Sequence, residues 1–260
     1  MPYKLSKNQI TTYRKLAQRK YRDKFGLYLA EGLRVVSQLI EGDRVKIEAI
    51  IVTDTQHVDG LHPGNVPVLV ADASDFKSLS DTQQSQGIIA VCRKDVDAST
   101  EELIALESGV IVALDRLQDP GNLGTIIRSA TWFGASALIL GSGSVEYYNP
   151  KVVRSTAGAI DVLPHIEAEL VPVLRNFSKN GWRICALDVG PGAIDINKAE
   201  FGSKTIIIVG NEGSGLTDEV ASEDYDRVFI RGRQEHVESL NAGVAVSICL
   251  YRFQVGGMLK

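Results

Sequence analysis

Val110-Ile111-Val112-Ala113-Leu114-Asp115-Arg116-Leu117-Gln118-Asp119-Pro120-Gly121-Asn122-Leu123-Gly124-Thr125-Ile126-Ile127-Arg128-Ser129-Ala130 is the stretch that decides the fold. Its first five residues are apolar without a break, the pattern of a strand buried on both faces. A Pro-Gly turn follows, then apolar residues at helical spacing. Similar apolar runs recur at 137–140, 183–187, 205–209 and 227–230, and helical patterns lie at 124–133, 170–179 and 241–253. Strands alternating with helices over roughly 150 residues imply an α/β domain, a parallel sheet with helices on both faces. Such sheets bind ligands beyond the C-terminal ends of their strands, so chemistry is expected in the loops that follow them.

Upstream of this region, 47–52, 66–70 and 87–92 read as strands, and 31–40 and 73–79 as helices. Ser6 is placed to cap an earlier basic helix that Gly26 interrupts. These elements make a small α/β unit, separated from the larger one by a charged stretch poor in apolar residues. The expected division is 1–93, a linker at 94–107, and a second domain at 108–260.

Of 260 residues, 44% are apolar and 23% charged, the balance of an ordinary globular protein. No apolar run approaches the roughly 20 residues of a membrane helix, and Met1-Pro2-Tyr3-Lys4 does not open like a secretory signal. Cys92, Cys185 and Cys249 are far apart, odd in number and form no CxxC pair. A disulfide framework or zinc site is therefore not expected, and a reducing cytoplasm fits. The net charge of −4 conceals a basic start: the first 35 residues hold nine Lys or Arg against two acids. Arg14, Lys15, Arg19, Lys20 and Arg22 within it are candidates for phosphate contacts. A solvated helix face is the plainer reading of the same charges.

Three loops carry the chemical signal. In the opening stretch, Asn122 stands near a helix start and can cap it, and Arg128 follows six residues later. In the second loop, Gly210-Asn211-Glu212-Gly213-Ser214-Gly215-Leu216, the glycines fall as GxxGxG rather than the GxGxxG of dinucleotide sites. Glu212 inside that turn would repel a pyrophosphate and suits a ligand with a cationic centre such as a sulfonium. The glycines allow close backbone approach or positive φ. The third loop, Ile230-Arg231-Gly232-Arg233-Gln234-Glu235-His236-Val237-Glu238-Ser239-Leu240-Asn241, runs into a long apolar helix whose first N–H groups are free for a ligand. There is no GxSxG and no hydrolase triad. Each loop taken alone also reads as a cap or a tight turn.

Taken together, Asn122-Leu123-Gly124 with Arg128-Ser129-Ala130, the loop from Gly210 to Leu216, and Ser239-Leu240-Asn241 resemble the three ordered motifs of the SpoU/TrmH RNA methyltransferases of the SPOUT class. Asn149-Pro150-Lys151-Val152-Val153-Arg154-Ser155-Thr156-Ala157-Gly158-Ala159 resembles the segment that connects the first two. The likeness covers about residues 108–256, and the N-terminal unit is similar to the ribosomal-protein-like RNA-binding domain found in many members. The resemblance implies a C-terminal SPOUT domain with a deep trefoil knot, which general topology rules would disfavour. It implies a homodimer, S-adenosylmethionine as methyl donor, and methylation of a ribose 2′-hydroxyl in RNA, with 23S ribosomal RNA expected before transfer RNA. It assigns Arg128, Asn122, Glu212, Ser239 and Asn241 to the catalytic site. It assigns Leu140, Gly210, Gly215, Ile230, Ser239 and Leu240 to the cofactor, and Arg128 and Arg154 to the RNA beside the N-terminal bases. No metal is implied. One departure stands in the third motif: Arg231 follows Ile230 where relatives have proline, and the stretch to Leu240 is about one residue longer.

A guanidinium has a pKa near 12.5–13.8, so using Arg128 as a neutral base at pH 7 would cost roughly 8 kcal/mol at about 1.4 kcal/mol per unit. A fixed cation that grips a phosphate and stabilises the developing alkoxide is the expected role. Two rival readings fit the residues less well. A nicotinamide-dependent oxidoreductase lacks its glycine fingerprint here. A non-catalytic RNA-binding protein would have no need of Asn122, Arg128 and Ser239 together.

Overall fold

The computed structural model describes residues 3–94, 98–233, 235, 236 and 239–258, the last three as backbone alone. Residues 95–97 of the expected linker, and Gln234, Val237 and Glu238 of the third loop, lie outside them. The chain divides into two compact units, Met1–Val96 with Glu146–Val162, and Asp97–Val145 with Leu163–Lys260.

The first unit is built on a five-stranded sheet in the order β1-β4-β3-β5-β2, with β1 Tyr3–Lys4, β2 Leu27–Glu31, β3 Ile47–Val52, β4 Val68–Val70 and β5 Ile88–Arg93. Helices α1 Lys7–Lys15, α2 Arg19–Phe25, α3 Leu33–Gly42 and α4 Ala73–Leu79 accompany it. Ser6 caps α1 as expected, and Gln9 returns the bond to close a capping box. The sequence pattern carried the next helix back to Glu31, but 27–31 is strand β2. Gly32, at φ +111, makes the break, a conformation that a residue with a Cβ adopts only under strain.

Residues 146–162, counted at the sequence level with the second domain, belong to this first unit. Two buried polar contacts tie them in. The Arg22 guanidinium pairs with the Glu146 carboxylate and also donates to the Leu16 carbonyl at 2.7 Å. Asp161 accepts from the hydroxyls of Tyr28 at 2.8 Å and Tyr148 at 2.7 Å. Helix α7, Pro150–Ser155, lies against β2. Partners 124 and 133 residues apart in sequence leave no local pattern, so periodicity could not reveal them.

The second unit holds a seven-stranded sheet in the order β10-β12-β9-β11-β6-β7-β8, every pair parallel. Its strands are β6 Gly109–Leu114, β7 Ala137–Gly141, β8 His165–Ala168, β9 Arg183–Leu187, β10 Ile194–Asp195, β11 Lys204–Val209 and β12 Asp226–Phe229. Its helices are α5 Thr100–Ile104, α6 Pro120–Trp132, α8 Leu170–Lys179, α9 Asp218–Ala221 and α10 Ala242–Met258. The parallel α/β expectation holds. Strands β8 and β10 were missed because neither carries an apolar run. Helix α5 lies inside the stretch read as linker, where Ser99 and Glu102 form a capping box. In α8, Leu170, Val173, Leu174 and Phe177 recur at helical spacing and pack with Ile111, Ile139 and Ile206 of the sheet. Helix α6 begins at Pro120, earlier than its apolar pattern suggests, because the cap is Asp119 rather than Asn122. The Asp119 carboxylate accepts from the Asn122 N–H at 2.7 Å, and proline at the first helical position needs no donor. Helices α6 and α10 pack closely through Gly243, where an added Cβ would come within 2.9 Å of Thr125 Cγ2.

Candidate active site

Strands β6 and β11 are neighbours in register, Leu114 opposite Val209, so the first two signal loops leave the sheet side by side. Buried Asp115 accepts from the Thr217 N–H at 2.6 Å, and the Asn211 amide donates to the Arg116 carbonyl at 3.0 Å. Asn211 also builds the second loop. Its backbone exchanges hydrogen bonds with Gly215 at 2.8 and 2.9 Å, and its side-chain oxygen accepts from the N–H groups of Gly213 and Ser214. Gly215 sits at φ +70 in this turn, the left-handed region that glycine enters without strain. Gly210 is required for a different reason: a Cβ there would lie 2.3 Å from the Gly215 carbonyl carbon. The glycines thus close the turn upon itself.

Polar side chains from all three motifs form one hydrogen-bonded chain. Asn122, 8% exposed, donates from Nδ2 to Glu212 Oε1 at 2.9 Å, and its Oδ1 accepts from Asn241 Nδ2 at 2.6 Å. Asn241 in turn caps α10, its side-chain oxygen accepting from the Val244 N–H and its carbonyl from the Ala245 N–H. A buried amide needs partners on both its ends, and Asn122 has them. The first motif therefore fixes where the loops of the other two stand.

Beside this chain opens a cleft of about 620 Å³, within the range of small-molecule sites. Gly210, Glu212, Gly215, Ile230, Ser239 and Leu240 all line it. Leu140 does not: it lies in β7, 2% exposed, with β6 between it and β11. Leu187 at the end of β9, together with Asp188 and Val189 just after it, also lines the cleft; these were missed because that strand end carries no recognisable motif. Arg233 and His236 also line the cleft. Arg231, the departure in the third motif, turns to Asp195, whose Oδ2 lies 3.0 Å from its Nε. The Asp195 carboxyl is held below its usual range, first by the Asn197 backbone N–H and further by the Asn197 amide and Arg231.

Arg128 is exposed on α6, outside the cleft lining, and makes no hydrogen bond or ion pair with the described residues. Of the basic candidates, Arg14, Lys15, Arg19 and Lys20 are exposed in the first unit. Arg22 is a correction: it is 3% exposed and spent on Glu146 and Leu16, so no phosphate reaches it. Arg154 lies 2.8 Å from Asp81 and borders a separate cavity with Arg34 and Gln84.

Residues 109–251 match the family model described as the SpoU rRNA methylase family. The chain belongs to the SpoU family. In this SpoU protein, residues 7–90 also match a model described as the MRM3-like substrate binding domain. A Bacillus subtilis relative, 23S rRNA (guanosine(2553)-2′-O)-methyltransferase RlmP, is 30% identical over 252 residues, 96% of this chain and 97% of its own. The AdoMet-bound rRNA methyltransferase of Sinorhizobium meliloti superposes with a TM-score of 0.80 at 27% identity, covering 96% of this chain and 95% of that one. The AviRb SpoU methyltransferase of Streptomyces viridochromogenes, in complex with AdoMet, shares the fold with a TM-score of 0.82 at 22% identity, over 97% and 99% of the two chains.

Proposed function

We propose that this SpoU protein transfers a methyl group from S-adenosylmethionine to a ribose 2′-hydroxyl of ribosomal RNA, with 23S RNA as its target. The observation that carries the reading is the Glu212–Asn122–Asn241 chain, which joins all three family motifs at the edge of one cleft. The cleft suits the donor. It has apolar side chains at Leu187 and Val189, a glycine-closed turn, and two carboxylates: Asp188, paired with Arg227, and Glu212, which is left to balance a cationic sulfur. The bound donor supplies a methyl group activated by a sulfonium. The protein's part is positioning and charge. Gly210, Gly215, Ile230, Ser239 and Leu240 hold the donor, and Asn122 and Asn241 keep the two gripping loops in register. Arg128, exposed and without a partner among the described residues, is free to clamp an RNA phosphate and stabilise the 2′-oxygen as its proton passes to solvent. Arg128→Ala should bind S-adenosylmethionine within about twofold of wild type in calorimetry, yet lose roughly 100-fold or more in methyl transfer to rRNA. Transfer within about threefold of wild type would remove Arg128 from the mechanism.

We also propose that the chain acts as a homodimer. Arg128 shares the open face of α6 with Trp132, 83% exposed, and the neighbouring α10 exposes Val244 at 45% and Tyr251 at 59%. So much apolar area on packed helices calls for a partner surface, and a second copy would carry Arg128 to the other protomer's cleft. Trp132→Glu should convert dimer to monomer in light scattering, and an unchanged mass would count against this face. The trefoil knot of the family is proposed for the passage through the second and third loops, and an experimental chain trace would decide it. Co-fractionation of the protein with cytoplasmic ribosomal particles would test the proposed compartment.

A further inference from the structure

The nine basic residues at the start of the chain do not act alike once folded. Arg22 is buried against Glu146, and Arg19 lies 3.6 Å from Asp23, whose other oxygen takes Lys94 at 2.7 Å. The one acid on α2 is therefore neutralised. What remains outward is a cluster of lysines around two aromatic rings. Lys20 Nζ lies 4.9 Å and Lys15 Nζ 5.5 Å from the Tyr21 ring centre, and Lys24 Nζ lies 5.8 Å from that of Phe25. The rings themselves are near-parallel, 13° apart with centres 6.1 Å from each other, and Phe25 is 36% exposed.

A merely solvated helix face has no reason to keep a phenylalanine and a tyrosine aligned at its surface. Lysines alone would hold any phosphate backbone, duplex or single-stranded. Aromatic faces add a preference that only unpaired bases can satisfy, because in a duplex those faces are already stacked. The ammonium groups stand within cation–π range of the rings, so charge and stacking surface occupy the same spot.

We infer that Tyr21 and Phe25, ringed by Lys15, Lys20 and Lys24, form a stacking platform for unpaired nucleotides of the RNA substrate. Base faces rest on the rings and the adjoining phosphates on the lysines. This rests on the reading of the protein as an RNA methyltransferase and adds the form in which the RNA is held. The target segment is then single-stranded or looped where it meets α2.

The test uses the full chain and fluorescence anisotropy, with an unpaired mixed-sequence RNA oligonucleotide and the same strand annealed to its complement. Wild type should prefer the single strand. Phe25→Ala and Tyr21→Ala should each lower single-strand affinity roughly five- to hundredfold and leave the duplex within about twofold, while Tyr21→Trp retains the preference. Lys20→Gln should weaken both RNAs and reduce the salt slope by about one. If the alanine variants bind the single strand within twofold of wild type, or lose both RNAs equally, the platform is refuted. Phe25, at the surface, keeps the test open should Tyr21→Ala fail to fold. Calorimetry with S-adenosylmethionine on the same variants separates the outcomes: a platform that fails leaves donor binding intact, whereas a wild type without donor affinity refutes the enzymatic reading itself.

Discussion

Replacing Asn122 by aspartate changes one atom of the chain that links the three motifs, and the consequence depends on pH. Asn122→Asp keeps an acceptor for the Asn241 amide but turns the donor facing Glu212 Oε1, now at 2.9 Å, into a second carboxylate oxygen. Two unit charges at that separation repel by about 6 kcal/mol at an effective dielectric of 20 and by about 1.4 kcal/mol in bulk water. Glu212 is exposed and Asn122 buried, which places the cost towards the lower figure, about 2 kcal/mol. The lost hydrogen bond adds about 1 kcal/mol. At pH 8 the variant should be about 3 kcal/mol less stable than wild type, and less stable than Asn122→Ala, which loses both bonds but gains no charge. In mildly acidic solution the facing carboxyls share a proton, which restores a donor between them. The deficit relative to wild type at the same pH should therefore shrink to about 2 kcal/mol at pH 5.5 and further as the pH falls. Urea unfolding at the two pH values measures it, and calorimetry should show donor affinity recovering in parallel. Should the deficit be the same at pH 8 and pH 5.5, or Asn122→Ala prove the worse variant, then Asn122 does not hold Glu212 in the manner described.

Two further outcomes follow from the geometry. Gly210→Ala must push its Cβ against the Gly215 carbonyl, backbone that cannot swing aside, so the turn opens; S-adenosylmethionine affinity should fall at least about tenfold by calorimetry, with about 1–3 kcal/mol of stability lost. Arg22→Ala leaves the Glu146 carboxylate buried without its partner and should cost about 3–5 kcal/mol, whereas weaker RNA binding with unchanged stability would return Arg22 to the phosphate-contacting set.

The parallel sheet was legible because a strand covered on both faces must be apolar throughout, and β6, β7, β9 and β11 each announce themselves that way. The loops after β6, β11 and β12 were legible too, since glycines in a turn and Ser-Leu-Asn before an apolar helix are local in sequence. Asp119 was there to be read as the cap, since an acid directly before proline is a helix-start signal. Leu140 was misplaced because adjacency in a parallel sheet is not sequence order: β9, not β7, flanks β11 on the side where the cleft opens.

By itself the sequence determined the local matters: which segments become strands and helices, which loops carry glycine, carboxylate and amide, and the family to which those loops belong. Only the tertiary structure decided which side chains meet. It drew Arg22 inward to Glu146, sent residues 146–162 to the first unit, and joined Asn122 to Glu212 and Asn241 across 90 and 119 residues. Hydrophobic periodicity records only whether a position is wet or dry. A hydrogen bond or ion pair between distant residues needs both partners in place, and that placement exists only once the chain has folded.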